Sequence, residues 1–302
     1  MKKKIKFGII GCGRIFSKHY EIFLRNQIPD IELVAVSDKK QRKLNLIKDK
    51  NLLKSKNYKD ILSFKEINTI VILTESGNHY SIIKEALLNK KNVIVEKPLC
   101  LKLKQAYELI KISKKQKKKI FVIMQNRFNN PIQITKSYIN QNKFGKIISI
   151  TSRVRWSRDQ KYYDQASWRG TWKYDGGALT NQGIHHIDLM YYLGGPVIET
   201  FAFSTRRLAK IQTEDTAVAV LKFKNGALGT FEVTTATRPK DLEGSISILG
   251  EKGTMIIGGF AANKIEYCEF INKKDNIIKK KVFRKSKKCL WFWSQKNLFR
   301  NS

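Results

Sequence analysis

The chain has 302 residues, is 42% hydrophobic, and carries 59 Lys and Arg against 25 Asp and Glu, a formal net charge of +34. This length is more than one domain usually needs and predicts two domains. No stretch reaches the ~18 apolar residues that a membrane helix requires, and the apolar run near the N-terminus is too brief for a signal peptide.

The excess of positive charge favours anionic partners through long-range attraction. Lysines occur along the whole chain together with many Asn and Ile residues, the composition expected of an A/T-biased gene. We therefore interpret the charge as a solvated surface. A nucleic-acid binder remains an alternative, and it predicts binding that falls steeply with salt, although the sequence contains no recognition motif.

The four cysteines, Cys12, Cys100, Cys268 and Cys289, are far apart and form no CxxC pair. This spacing argues against a zinc site or a disulfide framework, and no metal site is predicted. It also favours a reducing, cytoplasmic environment.

Strand-like and helix-like segments alternate along the first part of the chain. An apolar run at residues 5–10 leads through glycines into a helical pattern at 14–26, and further strands are predicted at 32–37, 69–73, 92–95 and 120–124. This alternation predicts an α/β fold, with a doubly wound parallel sheet in a Rossmann domain over residues 1–125.

The pattern changes after residue 125. A helix is predicted at 132–142, a strand at 146–156 and a second helix at 179–193, and successive strands then extend from 197 to 283, separated by turn signals such as Asn225-Gly226. Residues 126–302 are therefore predicted to form an α+β domain with a mostly antiparallel sheet.

Glycines and an aspartate follow the first two strands. Gly8, Gly11 and Gly13 lie where a tight turn brings backbone amides to a pyrophosphate at a helix N-terminus, although Phe16 replaces the third glycine of the usual fingerprint. Asp38 ends the second strand 25 residues after Gly13, near the ~20 expected for the carboxylate that binds the adenosine ribose. A carboxylate repels a 2′-phosphate, so NAD is predicted, while basic residues nearby keep NADP open.

Glu96 and Lys97 precede Pro98 at the end of a later strand, where open α/β sheets bind ligands. Partial desolvation in such a crevice favours a neutral amine that can transfer protons. Together with the glycine turn, this Glu-Lys-Pro sequence resembles the Gfo/Idh/MocA family of glucose-fructose oxidoreductases and inositol dehydrogenases.

The resemblance extends to about residue 260. The sequence Thr74-Glu75-Ser76-Gly77-Asn78-His79 is similar to the family's cofactor loop, with Glu75 in place of proline, and Gln125-Asn126-Arg127 follows the last Rossmann strand. His79 alternatively caps the helix that follows. The resemblance implies cofactor contacts from Gly11, Cys12, Gly13, Arg14, Ile15, Asp38, Thr74, Ser76, His79, Glu96, Lys97 and Gln125.

A more specific segment runs from Tyr162 to Asp188. It contains Trp168-Arg169-Gly170-Thr171-Trp172, Asp175-Gly176-Gly177 and Asn181-Gln182-Gly183-Ile184-His185-His186, and it resembles the subgroup of UDP-N-acetyl-2-amino-2-deoxyglucuronate 3-dehydrogenases, linked to lipopolysaccharide and other surface-polysaccharide precursors. The resemblance implies that Trp168 and Arg169 approach the cofactor, that Asn181, Arg155 and Tyr163 contact substrate, and that the second domain assembles a homotetramer through an open sheet.

His185 matches the family's active-site histidine, and a histidine suits removal of a hydroxyl proton as hydride leaves the same carbon. Asn181 stands where the family often has Asp, so it stays open whether His185 or Lys97 is the principal base. Asp188, three residues after His185, either orients the imidazole or ties down the helix.

The predicted reaction is NAD-dependent oxidation of the C3 hydroxyl of a UDP-linked N-acetylated amino-sugar uronate. Lys97 and His185 would manage the proton, and a basic group such as Arg153, Arg155 or Arg158 would hold the anionic substrate. The alternatives are another sugar or inositol dehydrogenase of the family, and an NAD-binding protein with impaired catalysis. The sequence does not identify the electron acceptor that regenerates NAD.

The sequence at the C-terminal end, residues 288–302, is unlike that of the family. When residues 288–302 are back-translated with A/T-rich codons and read one base forward, a family-like Val-Tyr-Gly-Phe-Gly-His phrase is restored. We therefore expect that a frameshift or truncation affected the C-terminal end, and that Trp291, Phe292 and Trp293 would form an exposed apolar patch.

Overall fold

The computed structural model describes residues 4–276, and these fall into two compact units that divide between Ile123 and Met124. The sequence-predicted boundary lies two residues further along. The expected frameshift at residues 288–302 falls outside the described residues. Within 4–276, no helix has the length and apolar character needed to cross a membrane.

Six parallel strands form one sheet in the first unit, in the order β3-β2-β1-β4-β5-β6. The strands are β1 Ile5–Ile10, β2 Ile31–Ser37, β3 Leu53–Ser55, β4 Thr69–Ile72, β5 Asn92–Val95 and β6 Ile120–Val122. The helices are α1 Phe16–Leu24, α2 Gln41–Asn45, α3 Tyr58–Ser63, α4 Ser76–Leu88 and α5 Leu103–Gln116. The strand order reverses between β1 and β4, which makes this the topological switch point where such sheets bind ligands.

The central strands of this sheet are apolar and buried on both faces, as parallel strands covered by helices must be. All four residues of β4 are buried, and Ile83 and Leu87 of α4 are fully enclosed against the sheet. The predicted doubly wound α/β fold is confirmed. The sequence reading missed β3, because a three-residue edge strand is too short to show periodicity.

The second unit contains a seven-stranded sheet in the order β13-β12-β11-β7-β10-β9-β8. Its strands are β7 Ile147–Arg155, β8 Val197–Thr205, β9 Thr216–Phe223, β10 Leu228–Thr234, β11 Glu243–Gly250, β12 Gly253–Gly258 and β13 Lys264–Phe270. Neighbours are antiparallel except for the parallel pair of β7 and β10. The mostly antiparallel sheet is therefore confirmed.

Helices cover one face of this second sheet. They are α6 Asn130–Asn140, α7 Gln160–Asp164 and α8 Ile184–Gly194. Ile150 and Val154 of β7 and Leu189 of α8 belong to the same buried cluster. The opposite face presents the alternate side chains of each strand, including Phe201 and Phe203 of the edge strand β8, which are 62% and 73% exposed.

The helix predicted at 179–193 is made of two parts. Leu179–Gly183 forms a π-helical turn, and α8 continues from Ile184. A π-helical turn inserts extra backbone into a helix and often marks a functional site. It places Asn181 and His185 on different segments of an otherwise continuous helix.

Candidate active site

Gly11 lies in the turn that follows β1 and has a φ of +101°. A Cβ atom there would stand 2.8 Å from the backbone carbon and oxygen of Leu73, at the end of β4. Only glycine combines this conformation with so close an approach. At Gly13, by contrast, an added Cβ would meet no heavy atom of the described chain within 4 Å, so the space above Gly13 is open.

The helix α1 begins directly after this turn. Its N-cap residue Ile15 makes no side-chain hydrogen bond, and its first turn contains no acidic residue. No side chain of the N-cap or of the first turn of α1 therefore neutralises the positive end of this helix. Together with the open space above Gly13, this arrangement fits the pyrophosphate of a dinucleotide.

Asp38 follows β2 and is bound from three directions. The backbone amides of Cys12 and Lys40 donate to its two carboxylate oxygens at 2.9 Å each, and the Lys43 ammonium donates at 2.9 Å. Burial works to raise the pKa of Asp38, but the hydrogen bonds from Lys40, Lys43 and Cys12 outweigh it and lower that pKa. The carboxylate stays ionised and disfavours a 2′-phosphate, while burial raises the pKa of the neighbouring Cys12 thiol to about 12.

Thr74 lies in the loop after β4, and Ser76 and His79 lie in the first turn of α4. His79 is 1% exposed; its Nδ1 lies 2.7 Å from the carbonyl oxygen of Pro98 and its Nε2 lies 3.1 Å from that of Thr74. Burial lowers the pKa of His79. The ring thus links the loop after β4 to the segment after β5. The side chains of Thr74 and Ser76 are half-buried, and their cofactor contacts remain predictions.

Glu96 is held by a histidine that the sequence analysis did not single out. His19 of α1 is 3% exposed, and its Nε2 lies 3.1 Å from Glu96 Oε1. The amide of Lys97 donates to Glu96 Oε2 at 3.3 Å. Burial lowers the pKa of His19, although Glu96 opposes that shift. A mid-helix histidine carries no sequence signal for such a contact, because it depends on how α1 packs against β5.

His185 is the second residue of α8, in the second unit. It is 7% exposed, and its Nε2 lies 3.3 Å from the Nε2 of Gln125. Gln125 opens a short 3-10 helix that extends to Phe128. The two residues predicted from separate motifs are therefore neighbours. The adjacent His186 is fully buried, edge-on to Trp156.

Asp188 pairs with Arg127. The Nε of Arg127 donates to Asp188 Oδ2 at 2.7 Å and its Nη2 donates to Oδ1. The Arg127 guanidinium also lies 4.9 Å from the Tyr192 ring. This bidentate pair ties α8 to the segment that carries Gln125, the second of the two roles predicted for Asp188.

Arg169 is stacked between aromatic rings. Its guanidinium carbon lies 4.2 Å from the Tyr162 ring and 4.8 Å from the Trp168 ring, and its Nη1 donates to the Tyr162 hydroxyl. Gln182 Nε2 donates to the same hydroxyl at 3.2 Å. Stacking holds the planar fork of the arginine in one orientation, which suits it to bind phosphate oxygens.

The three arginines predicted to hold the anionic substrate are engaged with carboxylates. Arg155 makes a bidentate pair with Glu232, at 2.6 Å for each hydrogen bond, and also contacts Glu243. Arg153 pairs with Glu243 and Arg158 with Asp241. Arg155 would bind substrate only if its hydrogen bonds to Glu232 were broken.

Tyr163, another predicted substrate residue, is 8% exposed and packs with Ala209 and Ile211. Its hydroxyl lies 3.0 Å from Thr235 Oγ1. The ring anchors the α7 segment on the sheet, and a direct substrate contact from it remains a prediction.

A cavity of about 670 Å³ opens in the second unit between α7 and the connection from β8 to β9. Arg169, Arg206 and Lys210 line it, and Asp164 is the one acidic residue among its lining. Within residues 4–276, none of these three cations has a carboxylate at ion-pair distance. The cavity has the size of a small-molecule site and a charge that suits an anion.

Across the described part of the chain, no group of three or more His, Cys, Asp or Glu side chains could hold a metal ion. Three of the four cysteines fall in that part, namely Cys12, Cys100 and Cys268, and none of the three forms a disulfide with another described cysteine.

Two family models match the chain. Residues 5–124 match the model described as "Oxidoreductase family, NAD-binding Rossmann fold", and residues 132–256 match the "GFO/IDH/MocA C-terminal domain". The two matches lie in the two units that the structure separates.

Solved structures and curated proteins extend the comparison. The chain is similar to the WlbA dehydrogenases of Chromobacterium violaceum and Bordetella pertussis, each solved in complex with NADH and UDP-GlcNAcA; in both cases identity is 37%, coverage is 89% of this chain and 78% of the other, and the TM-score is 0.86. It is also 29% identical over 259 residues to myo-inositol 2-dehydrogenase of Thermotoga maritima, covering 82% of this chain and 74% of that protein.

Proposed function

This chain belongs to the Gfo/Idh/MocA oxidoreductases and is an NAD-dependent dehydrogenase, and from that premise we propose that it oxidises the C3 hydroxyl of a UDP-linked N-acetylated amino-sugar uronate. The observation that carries the proposal is the similarity, over 89% of the chain, to two dehydrogenases solved with NADH and UDP-GlcNAcA. The cationic cavity of the second unit agrees with an anionic substrate.

The residues of the first unit fit NAD. The open space above Gly13 and the uncapped start of α1 suit its pyrophosphate. The ionised Asp38 suits the two hydroxyls of its adenosine ribose, since a carboxylate oxygen can accept more than one hydrogen bond. We propose further contacts from the remaining predicted cofactor residues, which are Gly11, Cys12, Arg14, Ile15, Thr74, Ser76, His79, Glu96, Lys97, Gln125, Trp168 and Arg169.

NAD, when bound, accepts the hydride that leaves C3. The chain's own task is to take up the proton of the C3 hydroxyl, and we propose Lys97 and His185 for it. The contact between His185 and Gln125 at 3.3 Å limits the orientations of the imidazole. The variants Lys97→Met and His185→Asn decide which of the two residues is the principal base. Loss of the principal base should lower turnover most at a pH where that residue is neutral in the wild type, because only the neutral form can accept the proton.

We propose that the cavity lined by Arg169, Arg206 and Lys210 binds the negatively charged part of the substrate. Among the described residues, no carboxylate lies at ion-pair distance from these three cations, whereas Arg155 already binds Glu232. Binding at the cavity therefore leaves every existing ion pair intact. The substitution Lys210→Ala is expected to raise KM for a UDP-sugar, while Lys111→Ala, at an exposed position of α5 away from the cavity, is the matched control.

A substrate panel tests the proposed function. NADH formation is followed with UDP-N-acetylglucosaminuronate, UDP-N-acetylglucosamine, myo-inositol and free glucose. The proposal expects turnover with the UDP-uronate alone or far above the rest. Turnover confined to myo-inositol would instead establish the second candidate, which the similarity to the Thermotoga maritima enzyme favours. Bound NAD without turnover of any substrate would support a non-catalytic role.

We propose that the protein is a homo-oligomer, a tetramer by family resemblance, assembled through the open face of the second sheet. Phe201 and Phe203 project from β8 with ring centroids 4.9 Å apart, beside the half-exposed Val218 and Val220 of β9. Such an apolar patch marks an interaction surface. Light scattering of Phe201→Lys is expected to show smaller particles than the wild type, and an unchanged mass would contradict this interface.

We also propose a place for the reaction: the cytoplasm, among precursors of lipopolysaccharide or another surface polysaccharide. The proposed substrate is a UDP-activated sugar, which is the form consumed by glycosyl transfer. Loss of the gene is expected to remove a sugar from the surface polysaccharide, and an unchanged polysaccharide would contradict this placement.

A further inference from the structure

The helix α5 exposes apolar side chains on the face turned away from its sheet. Leu103, Tyr107 and Ile110 are 71%, 59% and 44% exposed. They are four and three residues apart along the helix, so they form one stripe on its surface. Leu109 lies on the inner face and is fully buried in the core of the first unit. The helix is therefore apolar on two sides, and only the inner side is covered within residues 4–276.

Lysines accompany this stripe at high density. Eight of the 18 residues from 102 to 119 are lysines, whereas Lys and Arg together make up 59 of the 302 residues of the chain. This density is more than twice that of the whole chain, so an evenly basic surface does not account for it. Lys114, four residues after Ile110, continues the stripe, and Lys104 and Lys111 lie beside it.

The single acidic side chain of this segment is already neutralised by α4. Glu108 accepts hydrogen bonds from Lys84 Nζ at 2.7 Å and from the Tyr80 hydroxyl at 2.6 Å. Among residues 4–276, no carboxylate lies at ion-pair distance from four exposed lysines of the helix, which are Lys104, Lys111, Lys114 and Lys115. The positive charge of this face therefore attracts anions from outside the described chain.

From these observations we propose that α5 docks the protein on the surface of a bilayer that contains anionic phospholipid. An exposed apolar stripe is buried at the boundary between headgroups and acyl chains, while the lysines beside it reach the phosphates. Tyr107 suits this boundary, because its ring is apolar and its hydroxyl is polar. The helix lies on the bilayer and does not cross it, since its 14 residues are fewer than the ~20 that a span requires.

A nucleic acid fits this face less well than a lipid surface does. The phosphates of a duplex would pair with the lysines, but the apolar stripe would remain exposed beside them. The segment from 102 to 119 contains no arginine, the side chain that most often reads bases in the major groove. The apolar stripe therefore favours the bilayer.

The most basic end of α5 lies away from the cofactor edge of the sheet. This end leads directly into the start of β6 at Ile120, whereas the glycine turn follows the end of β1 at Ile10. All six strands are parallel, so their starts and ends lie at opposite edges. Docking through this end leaves the pyrophosphate site open. The inference is independent of the proposed function, because it requires no sugar substrate.

Cosedimentation of the full chain with vesicles tests the inference. The vesicles contain phosphatidylcholine alone, or phosphatidylcholine with about 30% phosphatidylglycerol, at about 0.1 M salt. The wild type is expected to pellet with the anionic vesicles and to stay in solution with the neutral ones. Equal pelleting with both compositions, or pelleting with neither, would overturn the proposal.

Two variants separate the apolar stripe from the charge, and both use Gln because it is a good helix former. The stripe variant combines Leu103→Gln, Tyr107→Gln and Ile110→Gln, and the lysine variant combines Lys111→Gln, Lys114→Gln and Lys115→Gln. The lysine variant is expected to bind anionic vesicles roughly 100-fold more weakly than the wild type. The stripe variant is expected to bind them roughly tenfold more weakly or worse. Both should bind NAD as the wild type does, which shows that they are folded.

Matched controls lie near β3, at the opposite edge of the same sheet. Leu46 is 80% exposed there, and Leu46→Gln should bind vesicles as the wild type does. The same charge is removed by a triple variant at three exposed lysines, which combines Lys48→Gln, Lys50→Gln and Lys56→Gln. It should also retain vesicle binding. A triple control as weak as the lysine variant, or a stripe variant as tight as the wild type, would assign the binding to net charge and overturn the proposal.

Filter binding of duplex DNA to the same variants measures the rival partner. The proposal expects the stripe variant to lose vesicle binding without any change in DNA binding. A lysine variant that loses DNA binding but still pellets with anionic vesicles like the wild type would assign this face to nucleic acid and contradict the proposal.

Discussion

Gly11 and Gly13 are separated by one residue, yet their surroundings differ. Gly11 needs its positive φ and has backbone on its Cβ side, whereas Gly13 faces open space. The sequence indicated both as part of one glycine turn. It could not distinguish a glycine required by the fold from one that leaves room for a ligand, because that difference depends on the approach of Leu73 at the end of β4.

The two glycines therefore predict opposite phenotypes. Gly11→Ala is expected to cost about 1–3 kcal/mol of unfolding free energy, from backbone strain and the contact with Leu73. Gly13→Ala is expected to leave stability within ~0.5 kcal/mol and to weaken NAD binding roughly tenfold or more, because the methyl group occupies pyrophosphate space. Urea unfolding and NAD titration measure the two effects. A stable Gly11→Ala protein would contradict the close approach, and unchanged NAD affinity in Gly13→Ala would place the pyrophosphate elsewhere.

Asp38 predicts cofactor choice. Its lowered pKa keeps it ionised, so Asp38→Ser is expected to weaken NAD binding by roughly 10- to 100-fold, the cost of losing hydrogen bonds to a charged group, and to improve binding of NADP. Fluorescence titration with both cofactors checks this. Equal affinity of wild type and variant for NAD would remove Asp38 from the ribose site.

Some features of helix α8 could be predicted from the sequence and others could not. Its existence and the placement of His185 on it followed from periodicity and resemblance. The π-helical turn before it, the pairing of Asp188 with Arg127 and the contact of Asn181 with Asp175 did not, because each depends on where a loop from another part of the chain returns. The sequence did not predict the strand β3 for a different reason, because its three residues are too few to show a periodic pattern.

The ion pair of Arg127 and Asp188 predicts a coupling within this element. Removing either partner leaves the other charge half-buried, so Arg127→Met and Asp188→Asn are each expected to cost about 1–3 kcal/mol of unfolding free energy. The double variant should cost less than the sum of the two, since both charges are then gone. Additive costs in urea unfolding would contradict a direct pair.

His186 predicts a pH dependence that belongs to α8. Burial lowers its pKa to about 4, below the unfolded value of ~6.5. The stability that it contributes is therefore complete above about pH 6.5 and is lost as pH falls towards 4, by up to roughly 3 kcal/mol. The variant His186→Gln should lose less stability between neutral and acidic pH than the wild type. Parallel curves would show that His186 is not the buried titrating group.

At the level of the complete chain, the net charge of +34 is compatible with a solvated surface and with a nucleic-acid binding site. The two interpretations differ in how the binding of nucleic acid should depend on salt. As a solvated surface it should bind nucleic acid only weakly, and this binding should disappear by about 0.2 M salt. NAD affinity should persist there, because it depends on buried contacts such as those of Asp38. Filter binding of duplex DNA beside NAD titration checks this; specific, salt-resistant DNA binding would revive the nucleic-acid alternative.

Isotope transfer tests the central claim most directly. The purified protein is mixed with NAD and UDP-N-acetylglucosaminuronate that carries deuterium at C3 of the sugar, and the reduced cofactor is examined by mass spectrometry. Direct hydride transfer from C3 predicts that the label appears in the reduced cofactor and that the sugar product carries a ketone at C3. Reduced cofactor without deuterium, or no reduction while the protein retains bound NAD, would contradict the account.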